Sequence, residues 1–228
     1  MHPQFIHACI FDLDGVLVNT AHYHFLSWKQ ITLGWNVPFT EHDNELLKGL
    51  SREDSLSRLL QITGKQLNAA EREHILQEKN KLFQQYLEQM TPDDVLPGVH
   101  DFLIFLKNNN IHLAVASSSK NARIVLQKTE LTKWFEVIID GTQIKKAKPD
   151  PEVFLKAAHE LGIAPLHTVV FEDAKAGVEA ARTGGFYCVG VGDPTMLSQA
   201  HQVIPDFTSI SFDDWWQSLS DSSTQVVH

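Results

Sequence analysis

Short apolar runs, each the length of one buried strand, alternate along the chain with segments of helical apolar spacing. The runs are residues 6–11, 111–116, 137–139, 168–171 and 187–191. The helical segments between them are residues 99–109, 122–129, 151–161 and 174–183. Strands that are covered on both faces show continuous apolar runs, which is typical of parallel sheets. The alternation therefore predicts an α/β fold with a doubly wound, Rossmann-like parallel sheet.

Acidic or hydroxyl side chains stand at the end of four of these runs. They are Asp12, Ser117, Asp140 and the pair Glu172–Asp173. In an open parallel sheet, ligands bind outside the carboxyl ends of the strands. We therefore expect these side chains to converge on one site.

The stretch from residue 20 to residue 90 contains no strand-like run. It carries helical apolar spacing over residues 22–33, 51–62 and 69–90. The segment 91–98 is rich in turn residues and would return the chain to the sheet. We therefore predict a core domain of residues 1–19 and 91–228 and an inserted, all-helical cap domain of residues 20–90.

Composition excludes several classes of protein. Lys and Arg total 19 against 28 Asp and Glu, and no basic stripe of the kind that binds nucleic acid is present. No apolar run reaches the roughly 18 residues that span a bilayer, and residues 1–4 lack a secretory signal pattern. The two cysteines, Cys9 and Cys188, lie in apolar runs and cannot form a disulfide framework. We expect a cytoplasmic monomer without a nucleic-acid or membrane partner.

Asp12 and Asp14 are separated by one residue at the end of the first run. In an extended chain they would point the same way, and two like charges so close require a cation between them. An ordinary turn is the alternative, and the spacing does not fit an EF-hand loop. Glu172 and Asp173 could simply be acids at a helix start. Two acidic pairs at separate strand ends, however, predict an oxygen-ligand site for Mg²⁺.

The segment from Ser117 to Asn121 follows the second run and reads Ser-Ser-Ser-Lys-Asn. Its hydroxyls and the free N–H groups of the next helix suit a phosphate oxygen. Serines at such a turn are also common helix caps. Lys148 lies in a basic run with Lys145 and Lys146, and such a run is usually a solvated face. The position of Lys148 relative to the strand ends makes it a candidate cation for the same site.

These motifs, in this order, resemble the haloacid dehalogenase superfamily over nearly the whole chain. The resemblance implies that Asp12 is a nucleophile that forms an aspartyl phosphate and that Asp14 is a general acid/base. It implies that Ser117 and Lys148 hold the phosphoryl group. It also implies one Mg²⁺ per chain. The predicted metal-site residues are Asp12, Asp14 through its backbone carbonyl, Glu172 and Asp173.

The cap resembles that of sugar-phosphate mutases within the same superfamily. The predicted substrate-binding residues are Trp28, Gly49, Leu50, Ser51, Arg52, Ser55 and Lys79 in the cap, and Ser117, Ser118, Ser119 and Asn121 in the core. Arg52 offers a bidentate fork for a second phosphate, although Arg52 and Lys79 could each be an ordinary exposed residue. Thr20 and His24 lie one helical turn apart, and the resemblance implies that both assist Asp14.

The resemblance implies interconversion of β-glucose 1-phosphate and glucose 6-phosphate, with β-glucose 1,6-bisphosphate as activating intermediate. One alternative is a Mg²⁺-dependent phosphatase acting on sugar phosphates or phosphoglycolate, in which water takes the phosphoryl group. A mutase for another hexose is a further alternative. A non-catalytic sugar-phosphate sensor is the third, but such a protein would be expected to lose Asp12 or Asp14.

Overall fold

The computed structural model describes residues 6–221, with side chains up to Gln217, so the expectation about residues 1–4 lies outside the described residues. Six parallel strands form one sheet in the order β3-β2-β1-β4-β5-β6. They are β1 Ala8–Phe11, β2 His112–Ala116, β3 Val137–Ile139, β4 Thr168–Glu172, β5 Tyr187–Val191 and β6 Gln202–Ile204. The order reverses beside β1, which makes the carboxyl ends of β1, β2 and β4 the expected ligand site.

Nine α-helices lie within the described part of the chain. They are α1 Ala21–Leu33, α2 Glu41–Glu45, α3 Arg52–Thr63, α4 Ala69–Leu87, α5 Val99–Asn108, α6 Ala122–Lys128, α7 Glu152–Leu161, α8 Lys175–Thr183 and α9 Phe212–Asp221. The predicted parallel α/β fold is confirmed. None of these helices is long and apolar enough to cross a membrane.

Helices cover both faces of the sheet because both sets of alternating strand residues are apolar. Phe11 and its register partners Val115 and Phe171 belong to the core cluster that also contains the apolar side of α5. Their neighbours in the strands, including Ile10 and Val170, pack with α7 and α8 in the second cluster. The period of two along each strand therefore places one core on each side.

Helices α1 to α4 enclose a third, separate apolar cluster. Its buried residues are Trp28, Ile31, Phe39, Leu47, Leu56, Leu59 and Leu60. The two chain segments that join this block to the sheet domain lie side by side. The Leu96 N–H donates to the Leu17 carbonyl at 3.0 Å, and the Asn19 N–H donates to the Asp94 carbonyl at 3.0 Å. We propose that this block is a cap domain with the predicted limits, residues 20 and 90.

Three elements have no counterpart in the periodicity of the sequence: α2, β6 and α9. Helix α2 is a polar segment of five residues that depends on a capping box between Thr40 and Asp43. Strand β6 has three residues at the sheet edge, too few to show alternation. Helix α9 adds Trp215 to the core cluster beside α5. Short elements of this kind are set by tertiary contacts more than by local pattern.

Leu103 and Ile104 on α5 test this assignment of the core. Leu103 is fully buried, whereas Ile104 is 44% exposed. Leu103→Ala should lower the free energy of unfolding by about 2–5 kcal/mol, because it leaves a cavity beneath the sheet. Ile104→Ala should change it by less than about 0.5 kcal/mol. Urea unfolding measures both, and equal losses would show that α5 is oriented differently.

Candidate active site

The carboxyl ends of β1, β2 and β4 face the helical block across a cavity that is open to solvent. Fourteen predicted site residues line it: Asp12, Asp14, His24, Trp28, Gly49, Leu50, Arg52, Ser55, Lys79, Ser117, Ser118, Ser119, Asn121 and Asp173. Of the remaining four, Thr20 and Lys148 contact the lining residues Asp14 and Asp12 from behind, and Glu172 contacts Lys148. Ser51 differs and is described below.

A buried ammonium group connects two of the strand ends. Lys148 Nζ donates to Asp12 Oδ1 and, at 2.7 Å, to Glu172 Oε1. Burial alone would lower the pKa of Lys148, but the carboxylates of Asp12 and Glu172 outweigh it and raise this pKa, so the ammonium stays charged. The Ala174 N–H donates to Glu172 Oε2 at 2.6 Å. Both oxygens of Glu172 are thus engaged, and Lys148 is fixed against Asp12.

Helix α8 comes close enough to hold Glu172 in this position because residue 177 is glycine. A Cβ on Gly177 would collide with the Glu172 carboxylate. Burial raises the pKa of Glu172 to about 7, with Lys148 opposing the rise and Asp12 adding to it. The charges of Glu172 and Lys148 balance each other, and the hydrogen bond between them holds Lys148 in position.

Asp14 lies at the border between the sheet and the cap. The Thr20 hydroxyl, just before α1, donates a hydrogen bond to Asp14 Oδ1. Burial, followed by repulsion from Asp12, raises the pKa of Asp14 to about 6, although the Thr20 hydrogen bond opposes the rise. A carboxyl group with this pKa can take up and release a proton near neutral pH.

His24 and Lys79 form a polar pair inside the cap. Lys79 Nζ lies 3.0 Å from His24 Nδ1 and 4.3 Å from the centroid of the Phe83 ring. Burial, with Lys79 and Arg52 nearby, holds the pKa of His24 well below its usual range, so the imidazole is neutral. When Lys79 is protonated its ammonium can only donate, so His24 Nδ1 then accepts and Nε2 carries the hydrogen. His24 Nε2 faces Asp14 Oδ1 at 3.9 Å.

Two further cations, Arg52 and Lys120, line the cavity. Arg52 is the first residue of α3, and its Nη1 donates to the Leu76 carbonyl at 3.2 Å, which anchors the side chain to α4. Lys120 of the core pairs with Glu53 of the cap, Nζ to Oε1, at 2.7 Å. The Ser118 hydroxyl donates to the Gly49 carbonyl at 3.3 Å. Cationic side chains of the helical block and of the sheet domain therefore line one cavity.

Two predicted residues, Ser51 and Glu172, are engaged in hydrogen bonds within the protein. The Ser51 hydroxyl caps α3: it accepts from the Asp54 N–H at 3.0 Å and donates to the Asp54 carboxylate at 2.6 Å, and Ser51 is outside the cavity lining. Glu172 was expected near the metal, but its oxygens are engaged by Lys148 and Ala174. Local hydrogen bonds account for both side chains. Asp140, at the end of β3, also lies away from the cavity and pairs with Arg123 at 3.0 Å.

The sequence pattern does not indicate that six further residues line the cavity. They are Ala21, Asn44, Leu47, Lys48, Glu53 and Lys120. Lys48 Nζ lies 3.0 Å from Glu45 Oε2 and 3.7 Å from Asp173 Oδ2. It follows α2, the polar helix that periodicity does not reveal. In the sequence, the glycine that follows Lys48 indicates a turn at this position. Gly49 has a positive φ of 73°, and this turns the cap loop toward the core.

The donors around Asp173 fit a hard divalent cation. Burial, then the charges of Glu172 and Asp12, raise the pKa of Asp173 well above its ordinary value. Such crowding is relieved by a cation. No cluster of three His, Cys, Asp or Glu side chains suited to a metal occurs in the described part of the chain. Mg²⁺ needs only one or two carboxylates and keeps several waters, so Asp12 and Asp173 with the Asp14 carbonyl fit it.

Comparisons with known proteins agree with this geometry. A family model described as haloacid dehalogenase-like hydrolase matches residues 6–185. The chain is 40% identical over 208 residues to the beta-phosphoglucomutase of Bacillus subtilis, covering 90% of this chain and 92% of that protein. It is 35% identical over 183 residues to the "phosphorylated carbohydrates phosphatase" of Thermotoga maritima, covering 78% and 81%.

A solved structure extends the agreement to three dimensions. The crystal structure of beta-phosphoglucomutase from Clostridium difficile superposes with a TM-score of 0.91 at 33% identity, covering 97% of this chain and all of that one. The likeness spans the sheet and the helical block together.

Lys79 provides a test of the electrostatics of the cap. Burial and Arg52 lower its pKa from 10.5 to about 7, so between these values the folded chain holds fewer protons than the unfolded chain. The resulting destabilisation grows as the pH falls from 10.5 to 7 and is complete below 7. Lys79→Met should therefore stabilise the fold at pH 7 by roughly 1–4 kcal/mol.

The control for this prediction is Lys81→Met, an exposed position on the same helix, which should leave the free energy of unfolding nearly unchanged. Urea unfolding at several pH values measures the effect. The gain from Lys79→Met should shrink as the pH rises toward 10.5. A loss of stability at pH 7 would contradict the assigned environment of Lys79.

Proposed function

The chain belongs to the haloacid dehalogenase-like hydrolase family, and from that premise we propose that it is a β-phosphoglucomutase. Such an enzyme interconverts β-glucose 1-phosphate and glucose 6-phosphate. The observation that carries the proposal is that a single cavity is lined both by the carboxylates Asp12 and Asp14 and by the cations Arg52 and Lys120. A mutase that works through a bisphosphate needs two phosphate sites, whereas a phosphatase needs one.

The proposed reaction begins with a phosphoryl group on Asp12. The 6-hydroxyl of β-glucose 1-phosphate attacks phosphorus and gives its proton to the Asp14 carboxylate. The bond from phosphorus to Asp12 breaks, and β-glucose 1,6-bisphosphate forms. After the bisphosphate turns round, Asp12 attacks the 1-phosphate and Asp14 returns its proton to the leaving oxygen. Glucose 6-phosphate leaves and the aspartyl phosphate is restored.

The proton chemistry of this cycle is supported by the surroundings of Asp14. A pKa of about 6 lets Asp14 serve as acid in one half and as base in the other. The Thr20 hydroxyl holds Oδ1, and the neutral His24 turns its Nε2–H toward the same carboxylate. Both residues belong to the start of α1, so the cap must be in place for Asp14 to be oriented. This arrangement favours proton transfer only when the cavity is covered.

The phosphoryl group in transfer would be held by core residues. Lys148 lies against Asp12 and would offset charge on the phosphoryl oxygens. The Ser117 hydroxyl accepts from the Ser119 N–H at 3.0 Å, which leaves its own hydrogen for a phosphoryl oxygen. When bound, Mg²⁺ would be held by Asp12, Asp173 and the Asp14 carbonyl, and it would neutralise charge that develops during transfer.

A sugar-phosphate phosphatase is the second candidate, and the relative from Thermotoga maritima favours it. The nucleophile and the acid would be the same, and water would replace the sugar hydroxyl. Arg52, Lys79 and Lys120 favour the mutase, because hydrolysis of a monophosphate has no use for a second anion site.

The product of the reaction distinguishes the two. The enzyme should convert β-glucose 1-phosphate to glucose 6-phosphate when traces of β-glucose 1,6-bisphosphate and Mg²⁺ are supplied, and it should act far more slowly on the α-anomer. Asp12→Asn should lower kcat by roughly 10⁴-fold or more. A coupled assay for glucose 6-phosphate and a colorimetric assay for phosphate measure both products. Inorganic phosphate in place of glucose 6-phosphate would exclude the mutase.

Arg52 tests the second phosphate site. Arg52→Met should lower kcat/KM for β-glucose 1-phosphate by about 10- to 100-fold, the usual worth of hydrogen bonds to a charged group. Arg58→Met is the matched control, because Arg58 is an exposed arginine on the same helix, and it should retain full activity. Steady-state kinetics measures both variants, and equal kcat/KM values for the two would show that Arg52 does not bind the substrate.

A further inference from the structure

The Asn121 side chain has partners that its predicted role in substrate binding does not explain. It is only 7% exposed, although it stands at the rim of the cavity where α6 begins. Its Nδ2 donates to Asn80 Oδ1 at 2.9 Å, and its Oδ1 accepts from Gln84 Nε2 at 3.1 Å. Asn80 and Gln84 are one turn apart on the cap helix α4. Both ends of the Asn121 amide are therefore held by the cap.

The same turn of α4 carries Lys79, which faces His24 and the cavity. A displacement of α4 would thus move Lys79 and release Asn121 together. Two functions of the cap, its contact with the acid/base group and its contact with the core, are coupled through one helical turn.

On the core side, Asn121 is linked to the candidate phosphate-binding loop. The Ser119 hydroxyl accepts from the Asn121 N–H at 3.2 Å, and the Ser117 hydroxyl accepts from the Ser119 N–H at 3.0 Å. Hydrogen bonds made by Ser119 and Asn121 therefore link Ser117, in the lining of the cavity, to Gln84 on the cap. The loop conformation and the position of α4 depend on each other.

The ion pair between Lys120 and Glu53 also joins core and cap, but its side chains are 44% and 46% exposed. Water and salt screen such a pair, and its contribution is small. The amide contacts involve a buried Asn121, whose polar groups would lose their partners if the cap moved. The amide contacts are therefore the stronger determinant of closure.

We propose that Asn80 and Gln84 are positioning residues that hold the cap on the phosphate-binding loop through Asn121. They thereby set what share of the phosphoryl groups on Asp12 passes to the sugar hydroxyl and what share passes to water. This inference rests on the proposed function. In either branch the bond from phosphorus to Asp12 breaks, a bond from phosphorus to the incoming hydroxyl oxygen forms, and the hydroxyl proton passes to Asp14. A cap that stays seated excludes water and leaves the sugar hydroxyl as acceptor.

The test is Gln84→Leu, which keeps the bulk of the side chain and removes its hydrogen bond. Gln85→Leu is the control, because Gln85 is the next residue on α4 and is also exposed. Phospho-enzyme made from labelled β-glucose 1,6-bisphosphate is mixed with β-glucose 1-phosphate, and label in sugar phosphate and in inorganic phosphate is counted. Gln84→Leu should raise the share released as phosphate by about 5-fold or more, and Gln85→Leu should match the unmodified enzyme.

A double-mutant cycle separates this role from a loss of structure. If Gln84 acts through Asn121, then Gln84→Leu should add no further change in a protein that already carries Asn121→Ala. Additive effects would overturn the proposal. So would a Gln84→Leu variant that releases the same share of label as inorganic phosphate as the unmodified enzyme. Asn80→Ala provides a second variant should Gln84→Leu fail to fold. Failure of the proposed mutase would appear differently, as release of phosphate by the unmodified enzyme.

Discussion

The site depends on one buried ammonium group, that of Lys148, placed between Asp12 and Glu172. Neighbouring parallel strands, β1 and β4, deliver the two carboxylates to one edge of the sheet. Without a cation between them, buried carboxylates so close would repel or become neutral. The sheet topology, the glycine at position 177 and the Ala174 N–H all serve this ion triad. Asp12 is the proposed nucleophile, and the rest of the site is arranged around this triad.

Burial also sets the proton chemistry of the cap border. It raises the pKa of Asp14 to about 6, lowers that of Lys79 to about 7 and keeps His24 neutral. Each of these pKa shifts opposes folding. Groups with such shifted pKa values concentrate at sites where chemistry occurs. Two of the three groups come from the cap and one from the sheet. All three groups therefore lie where the cap meets the strand ends, and the burial that shifts them comes from both sides.

Much of this arrangement follows from local pattern. Apolar runs predict the buried strands, and because parallel strands share one edge, the sequence alone predicts that Asp12, Ser117 and Asp173 lie together. Contacts between distant segments could not be predicted in this way. Lys148 meets Asp12 across 136 positions of sequence, Lys48 follows a helix too short to show periodicity, and the partners of Asn121 are set by how α4 lies on the core. The position of Lys148 relative to the strand ends made it a candidate cation, but its contact with Asp12 is set by the tertiary structure.

Covalent chemistry at Asp12 is the central claim, and trapping the phospho-enzyme tests it most directly. The enzyme is incubated with β-glucose 1,6-bisphosphate and Mg²⁺, quenched in acid and treated with borohydride, which reduces an acyl phosphate to an alcohol. Peptide mass spectrometry should find the residue at position 12 converted to homoserine and Asp14 unchanged. Reduction at Asp14, or at neither residue under conditions of turnover, would contradict the account.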